Sequence, residues 1–178
     1  ENLYTDKSGS SRGLMASYFS GLEPGKSLIK STIVNELNES YTFMSPDSNL
    51  DANHFSVRYA GFLVPEKTGQ YQLALEGNDG FRMYLDNRLI IDQWSKLSYR
   101  RVPVSLMLEK GKRYAIRVEF YESKGNAKIK LLWNRAMTDS TERMIANAVA
   151  VARQSDLALI VAGIHEGEFQ DRARLSLT

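Results

Sequence analysis

Between Phe55 and Trp94 the chain passes through four short segments in which apolar and polar residues alternate, each closed by turn chemistry. Period-two alternation places successive side chains on opposite faces of a strand, so each segment reads as an antiparallel strand with one face on a core and one in water. Phe55, Val57 and Tyr59 point one way while Ser56 and Arg58 point the other. Tyr71, Leu73 and Leu75 alternate with Gln72, Ala74 and Glu76, and Phe81, Met83 and Leu85 oppose Arg82, Tyr84 and Asp86. Asp86-Asn87 then makes a tight turn into Leu89-Ile90-Ile91, because Asn tolerates the left-handed backbone that such a turn requires.

The same grammar continues on either side. Leu14 to Phe19 forms a strand ending at Ser20-Gly21. Val102, Val104, Leu106 and Leu108 alternate up to the turn Glu109 to Lys112; Tyr114, Ile116, Val118 and Phe120 give the next strand, and Ile129, Leu131 and Trp133 the last. Short strands with turns about every ten residues predict a mainly β, antiparallel β-sandwich rather than βαβ units. Residues 1–12 are rich in Ser and Gly and read as a disordered linker or extended lead-in. Residues 22–53 carry Pro24-Gly25 and Ser45-Pro46-Asp47 and read mostly as loop, with short strands near Leu28 to Val34 and Tyr41 to Met44.

At Thr138 the period changes. Asp139-Ser140-Thr141-Glu142 offers a helix cap, and Met144, Ile145, Ala148, Val149, Val151 and Ala152 share a broad helical face, predicting about four turns. Leu157 to Ala162 is a continuous apolar run, as expected of a parallel strand buried on both faces, so the sandwich is followed by the start of an α/β domain. The expected division is 1–12, 13–137 and 138–178. The polar segment Gly163 to Arg174 falls at the carboxyl end of that strand, where open α/β sheets place ligands.

Composition narrows the chemistry. The chain of 178 residues has no cysteine, which removes disulfides and thiolate sites and leaves the compartment open. Its formal charge of +2 is interspersed, and Arg100-Arg101 and Lys128 to Lys130 fall on predicted strands, where a solvated sheet face explains them better than a nucleic-acid stripe. No apolar run reaches membrane-spanning length. The first residue is Glu, so the chain reads as a piece of a longer protein.

Asn78 to Asp86, followed by Ile90 to Trp94 and preceded by Val57 to Gly61 and Gly69-Gln70-Tyr71, is similar to the protective-antigen-type β-sandwich domain over roughly residues 12 to 135. The helix, the apolar strand and the loop Gly163 to Arg172 resemble the second, α/β-sandwich domain of glycoside hydrolase family 3, in whose β-glucosidases a sandwich of this type is inserted. The two resemblances together imply an inserted domain that shapes the aglycone side of a retaining exo-glycosidase. They imply as partners a β-linked oligosaccharide or aryl glycoside and a barrel domain of the same parent chain, with no nucleic acid, no membrane and no cofactor.

In that family the general acid/base is a Glu three residues before an Asp-Arg pair. Here this position is Glu168, with Asp171-Arg172 following and Glu166 as the alternative. The nucleophile that a retaining enzyme also needs is supplied in the family by the barrel, so the segment alone is expected to be inactive. Asp171 and Arg172 serve equally well as a loop-fixing ion pair or as sugar contacts. The sandwich residues expected to meet substrate are Asp79, Phe81, Trp94 and Tyr99, in the loops Asn78 to Phe81 and Ser95 to Tyr99; aromatic strand residues otherwise pack. Related adhesins bind sugar through calcium held by adjacent aspartates. Asn78-Asp79 has only one carboxylate, which favours a structural turn over a metal site. His165 has no second nearby ligand. The competing expectation is a non-catalytic carbohydrate-binding or calcium-dependent lectin-like module, and a third is a plain spacer.

Overall fold

A computed structural model describes residues 2–41, 45–96, 98–134 and 141–159, and for 141–144 the backbone alone. The strands are β1 (Leu3–Tyr4), β2 (Leu14–Ser20), β3 (Leu28–Val34), β4 (Asn38–Ser40), β5 (Phe55–Leu63), β6 (Gly69–Gly77), β7 (Gly80–Leu85), β8 (Arg88–Gln93), β9 (Arg100–Leu108), β10 (Tyr114–Glu122) and β11 (Lys128–Trp133), followed by the helix α1 (Thr141–Ala152). The strands form two antiparallel sheets. The larger has the order β3-β2-β5-β10-β7-β8 with β1 added beside β5, and the smaller has the order β4-β11-β6-β9.

Alternation places the core. Phe55, Val57, Tyr59, Phe81, Met83, Val118 and Phe120 of the larger sheet, and Leu73, Leu75 and Ile129 of the smaller, are fully buried between the sheets. Burying a side chain of this size is worth about 1.5–3 kcal/mol. Three tyrosine hydroxyls that enter the core satisfy one another. The Tyr41 hydroxyl lies 3.0 Å from that of Tyr59 and 3.3 Å from that of Tyr18, and burial pushes all three phenols above the usual tyrosine range. At the β7–β8 hairpin, Asp86 and Asn87 have φ of 48° and 64°, the paired left-handed residues of a turn whose twist matches its flanking strands.

Of the two alternatives for the lead-in, the described residues take the extended one at Leu3 and Tyr4, which pair with Leu63 and Phe62 of β5. Asp6 then folds the Ser-rich segment on itself by accepting hydrogen bonds from Ser8, Gly9, Ser10 and Ser11. Asn38 to Ser40 forms a short strand paired with Lys128 to Lys130; of the strand expected at Tyr41 to Met44, Tyr41 is outside any strand and residues 42–44 lie outside the described residues.

The chain divides into two compact units, Glu1–Ala136 and Met137–Thr178. In the second, α1 exposes Ile145, Val149 and Val151, and its end is closed by the Ser155 hydroxyl donating to the Val151 carbonyl at 3.0 Å. Of the buried strand expected at Leu157 to Ala162, residues 157–159 form no strand and Leu157 and Leu159 are exposed, while residues 160–162 lie outside the described residues. No described helix is long and apolar enough to cross a membrane.

Candidate functional site

Several loops of the first unit are laced together by hydrogen bonds between their backbones and short polar side chains. In the β6–β7 turn Asp79 adopts a φ of 56°, and its Oδ2 accepts from the Ser123 amide at 2.8 Å and the Ser123 hydroxyl at 3.1 Å. The Asn78 Oδ1 accepts from the Lys128 amide at 2.7 Å. The Asn53 Oδ1 accepts from the Gly125 amide at 3.1 Å, the His54 amide donates to the Glu122 carbonyl, and the Gly21 amide donates to the His54 carbonyl. Lys96 Nζ donates to the Lys124 carbonyl at 3.2 Å. Segments around residues 21, 53, 79, 96 and 124 thus share one hydrogen-bonded end of the sandwich, the arrangement expected of recognition loops on a rigid scaffold.

Trp94 stands beside this end. Its indole Nε1 donates to Glu23 Oε1 at 2.9 Å, and its ring meets Tyr121 edge to face at 4.9 Å. The Arg82 guanidinium lies 3.9 Å over the indole, a cation–π contact. Tyr121 occupies the space above Gly80, where a Cβ would come within 1.9 Å of its ring; the glycine is required by that close approach. Tyr99 belongs to a different group on the smaller sheet. It is 41% exposed and donates to Glu76, which also accepts from Arg101 Nε at 2.6 Å.

Of the residues expected to meet substrate, Trp94 and Tyr99 keep exposed surface, but two others are placed differently. Phe81 is a core residue with no exposure, so its ring has no face free for a sugar, because its strand parity turns it toward the opposite sheet. Asp79 is 2% exposed and has one oxygen committed to Ser123, which makes it a loop-fixing carboxylate in this structure. Glu166, Glu168, Asp171 and Arg172 lie outside the described residues, as does His165. Among the described residues no three of His, Cys, Asp and Glu gather into a metal-binding group.

The densest polar feature was not anticipated. Register sets Arg58 of β5, Glu119 of β10 and Arg82 of β7 directly beside one another on the outer face of the larger sheet. Glu119, whose side chain is 3% exposed, accepts from Arg58 Nε at 2.8 Å and from Arg82 Nε at 2.6 Å, with Arg117 Nε at 3.6 Å. Burial pushes the Glu119 carboxyl up, but hydrogen bonds from Arg82 and Arg58 outweigh it and hold the group below its ordinary range. Arg58 also donates to the Pro24 carbonyl at 3.0 Å and Arg82 reaches Glu23 at 3.6 Å, so this row anchors the loop after β2. Alternation in the sequence places these residues on outer faces; only strand pairing places them in one row. Glu122 was also missed. It ends β10 pointing inward, fully buried, with neither carboxyl oxygen hydrogen-bonded.

Comparison with known proteins gives the same architecture. The PA14 domain family matches residues 10–143. The chain is 32% identical over 90 residues to the anti-sigma-I factor RsgI3 of Acetivibrio thermocellus, covering 51% of this chain and 14% of that protein. It is 28% identical over 151 residues to a β-glucosidase of Rhizobium radiobacter, covering 75% of this chain and 18% of that protein. Among solved structures, the β-glucosidase of Kluyveromyces marxianus superposes with a TM-score of 0.63 and 25% identity, over 85% of this chain and 19% of the enzyme. The chain therefore spans under a fifth of the length of these curated relatives. A two-sheet antiparallel sandwich and a family match covering most of the sequence agree: the chain belongs to the PA14 domain family.

Proposed function

We propose that this chain is the carbohydrate-contacting PA14 domain of a β-glucosidase-like retaining exo-glycosidase of family 3, with the α/β residues that follow it. The observation that carries the reading is the extent of the likeness. The β-glucosidase of Kluyveromyces marxianus corresponds to 85% of the chain, a longer span than the PA14 match at residues 10–143. The domain supplies no nucleophile. Its hydrogen-bonded loop end, with Trp94 beside it and Tyr99 on the neighbouring sheet, lines the aglycone side of the pocket and limits substrate length.

In this reading Glu168 is the general acid/base, with Glu166 next in order, and Asp171-Arg172 fixes the loop or contacts the sugar. A retaining enzyme sets its two carboxyl groups about 5–5.5 Å apart, so Glu168 works against a carboxylate from the barrel of the complete protein. The test is hydrolysis of aryl β-glucoside and aryl β-xyloside by the complete protein and by its Glu168→Gln variant, with azide present or absent. A large loss restored in part by azide supports the assignment. Full activity of the variant removes Glu168 and turns attention to Glu166; no hydrolysis by the unmodified protein removes the glycosidase reading.

The second reading is a non-catalytic carbohydrate-binding module. Its support is the 32% identity over 90 residues to a protein named as an anti-sigma factor, so that a PA14 domain of this kind is found in two differently named proteins. It predicts glycan binding by a complete protein that hydrolyses neither aryl glycoside.

A further inference from the structure

On the outer face of the larger sheet, the row beside Arg58-Glu119-Arg82 reads Met15, Ala60, Arg117 and Tyr84 across β2, β5, β10 and β7, and the next row pairs Phe62 with Ala115. Two alanines in the central strands between larger neighbours leave a depression. It has a volume of about 300 Å³, with Met15, Phe62 and Tyr84 around the alanine floor and Thr5 and Asn87 at its margins. Among the described residues Arg117 is the only charged one of its lining, which holds no carboxylate.

Arg117 is poised rather than consumed. Its guanidinium lies 4.0 Å over the Tyr84 ring, which holds the planar fork in one orientation. Its Nε is buried without a hydrogen bond, and its nearest carboxylate, Glu119 at 3.6 Å, already accepts hydrogen bonds from Arg58 and Arg82. Three guanidiniums therefore face one buried carboxylate, and of the three only Arg82 is also paired with Glu23. The row keeps a positive excess at Arg117. A guanidinium recognises a carboxylate through two parallel hydrogen bonds, and an alanine-floored, aromatic-walled depression suits the apolar face of a pyranose.

We propose that this depression is a second glycan site, selective for a carboxylated pyranose, a uronate, with Arg117 binding the carboxylate and the ring lying on Ala60, Ala115 and Tyr84. This rests on the glycan-contact reading of the domain but places the selective site on the sheet face rather than at the loops. Arg117 and Tyr84 are flanked by the neighbouring Arg-Glu-Arg row, in which Glu119 ties β10 to Arg58 of β5 and Arg82 of β7.

The test titrates the 178-residue chain with methyl β-glucuronide, its methyl ester and methyl β-glucoside, reading backbone amide shifts at millimolar ligand. The expected result is selective shifts at Tyr84, Ala115 and Arg117 with the glucuronide. Arg117→Gln should weaken that binding about tenfold, the size of one charge-assisted pair. Arg117→Lys should recover part of it, and Ala115→Leu, which fills the floor without changing charge, should abolish it. Equal response to glucuronide and ester, or glucuronide shifts confined to residues away from the depression, overturns the uronate site. If methyl β-glucoside still moves the loop residues in that case, the glycan-contact reading stands. If none of the three ligands moves any residue, both fall.

Discussion

Glu122→Gln should make the sandwich more stable in mild alkali and leave it nearly unchanged in mild acid. Glu122 is fully buried at the end of β10 with no hydrogen-bond donor on either oxygen, and its charged neighbour is Asp79 of the β6–β7 turn. Burial first, and the Asp79 charge second, push its carboxyl up from 4.5 to about 8. The folded chain therefore holds a proton that the unfolded chain releases. Below pH 4.5 both states carry it and the group has no effect. Between 4.5 and 8 the unfolded state binds fewer protons, so stability falls with rising pH, and the loss is complete above the folded value. A difference of this size corresponds to about 5 kcal/mol as a ceiling, and to roughly 3 kcal/mol across pH 5.5 to 8. Glutamine is neutral throughout and keeps the volume. Thermal unfolding at pH 5.5, 7 and 9 should show the original chain losing about 10 °C relative to the variant at the alkaline end. Parallel curves for the two proteins would refute the argument, because they would mean that Glu122 is ionised and solvated in the folded state.

Glu119→Gln removes the one carboxylate shared by three arginines and should destabilise the first unit by about 2–4 kcal/mol in urea unfolding at neutral pH, with the deficit shrinking as pH falls below about 4.5. The sign is opposite to that at Glu122: Glu119 is held below its ordinary range, so its contribution is present above the unfolded value and disappears as pH falls through the folded one. Gly80→Ala places a methyl where the Tyr121 ring sits, so it should cost about 1–3 kcal/mol and change Trp94 fluorescence as the Trp94–Tyr121 contact opens. Asn87→Gly relieves the left-handed backbone at a solvent-facing turn and should raise the unfolding midpoint slightly or leave it unchanged; a clear loss would show that the Asn side chain holds the turn.

What was legible in the sequence follows from what is local. Alternation in Phe55 to Tyr59, Tyr71 to Leu75 and Tyr114 to Phe120 identifies strands and their inward faces because the period of a strand depends on the strand alone. Asp86-Asn87 announces its turn for the same reason. Strand β1 escaped notice because two residues carry no period, and it exists only through the edge of β5. Asp79 was visible as a loop carboxylate, but its burial depends on Ser123, 44 positions later. Phe81 stands beside a loop, which points to substrate contact, yet its own strand parity marks it as core. The Arg58-Glu119-Arg82 row and the Ala60-Ala115 floor arise from register between strands far apart in sequence, which alternation alone does not fix.

The central claim, that this PA14 domain lines the aglycone side of a glycosidase, is tested most directly by chain-length preference. The measurement is kcat/KM of the complete protein on aryl β-glucoside and on β-linked glucose oligomers of increasing length, beside Trp94→Ala and Tyr99→Ala variants. The account predicts little change on the aryl glucoside and an altered dependence on chain length in the variants. Identical length profiles in all three proteins would contradict it and leave the domain a spacer.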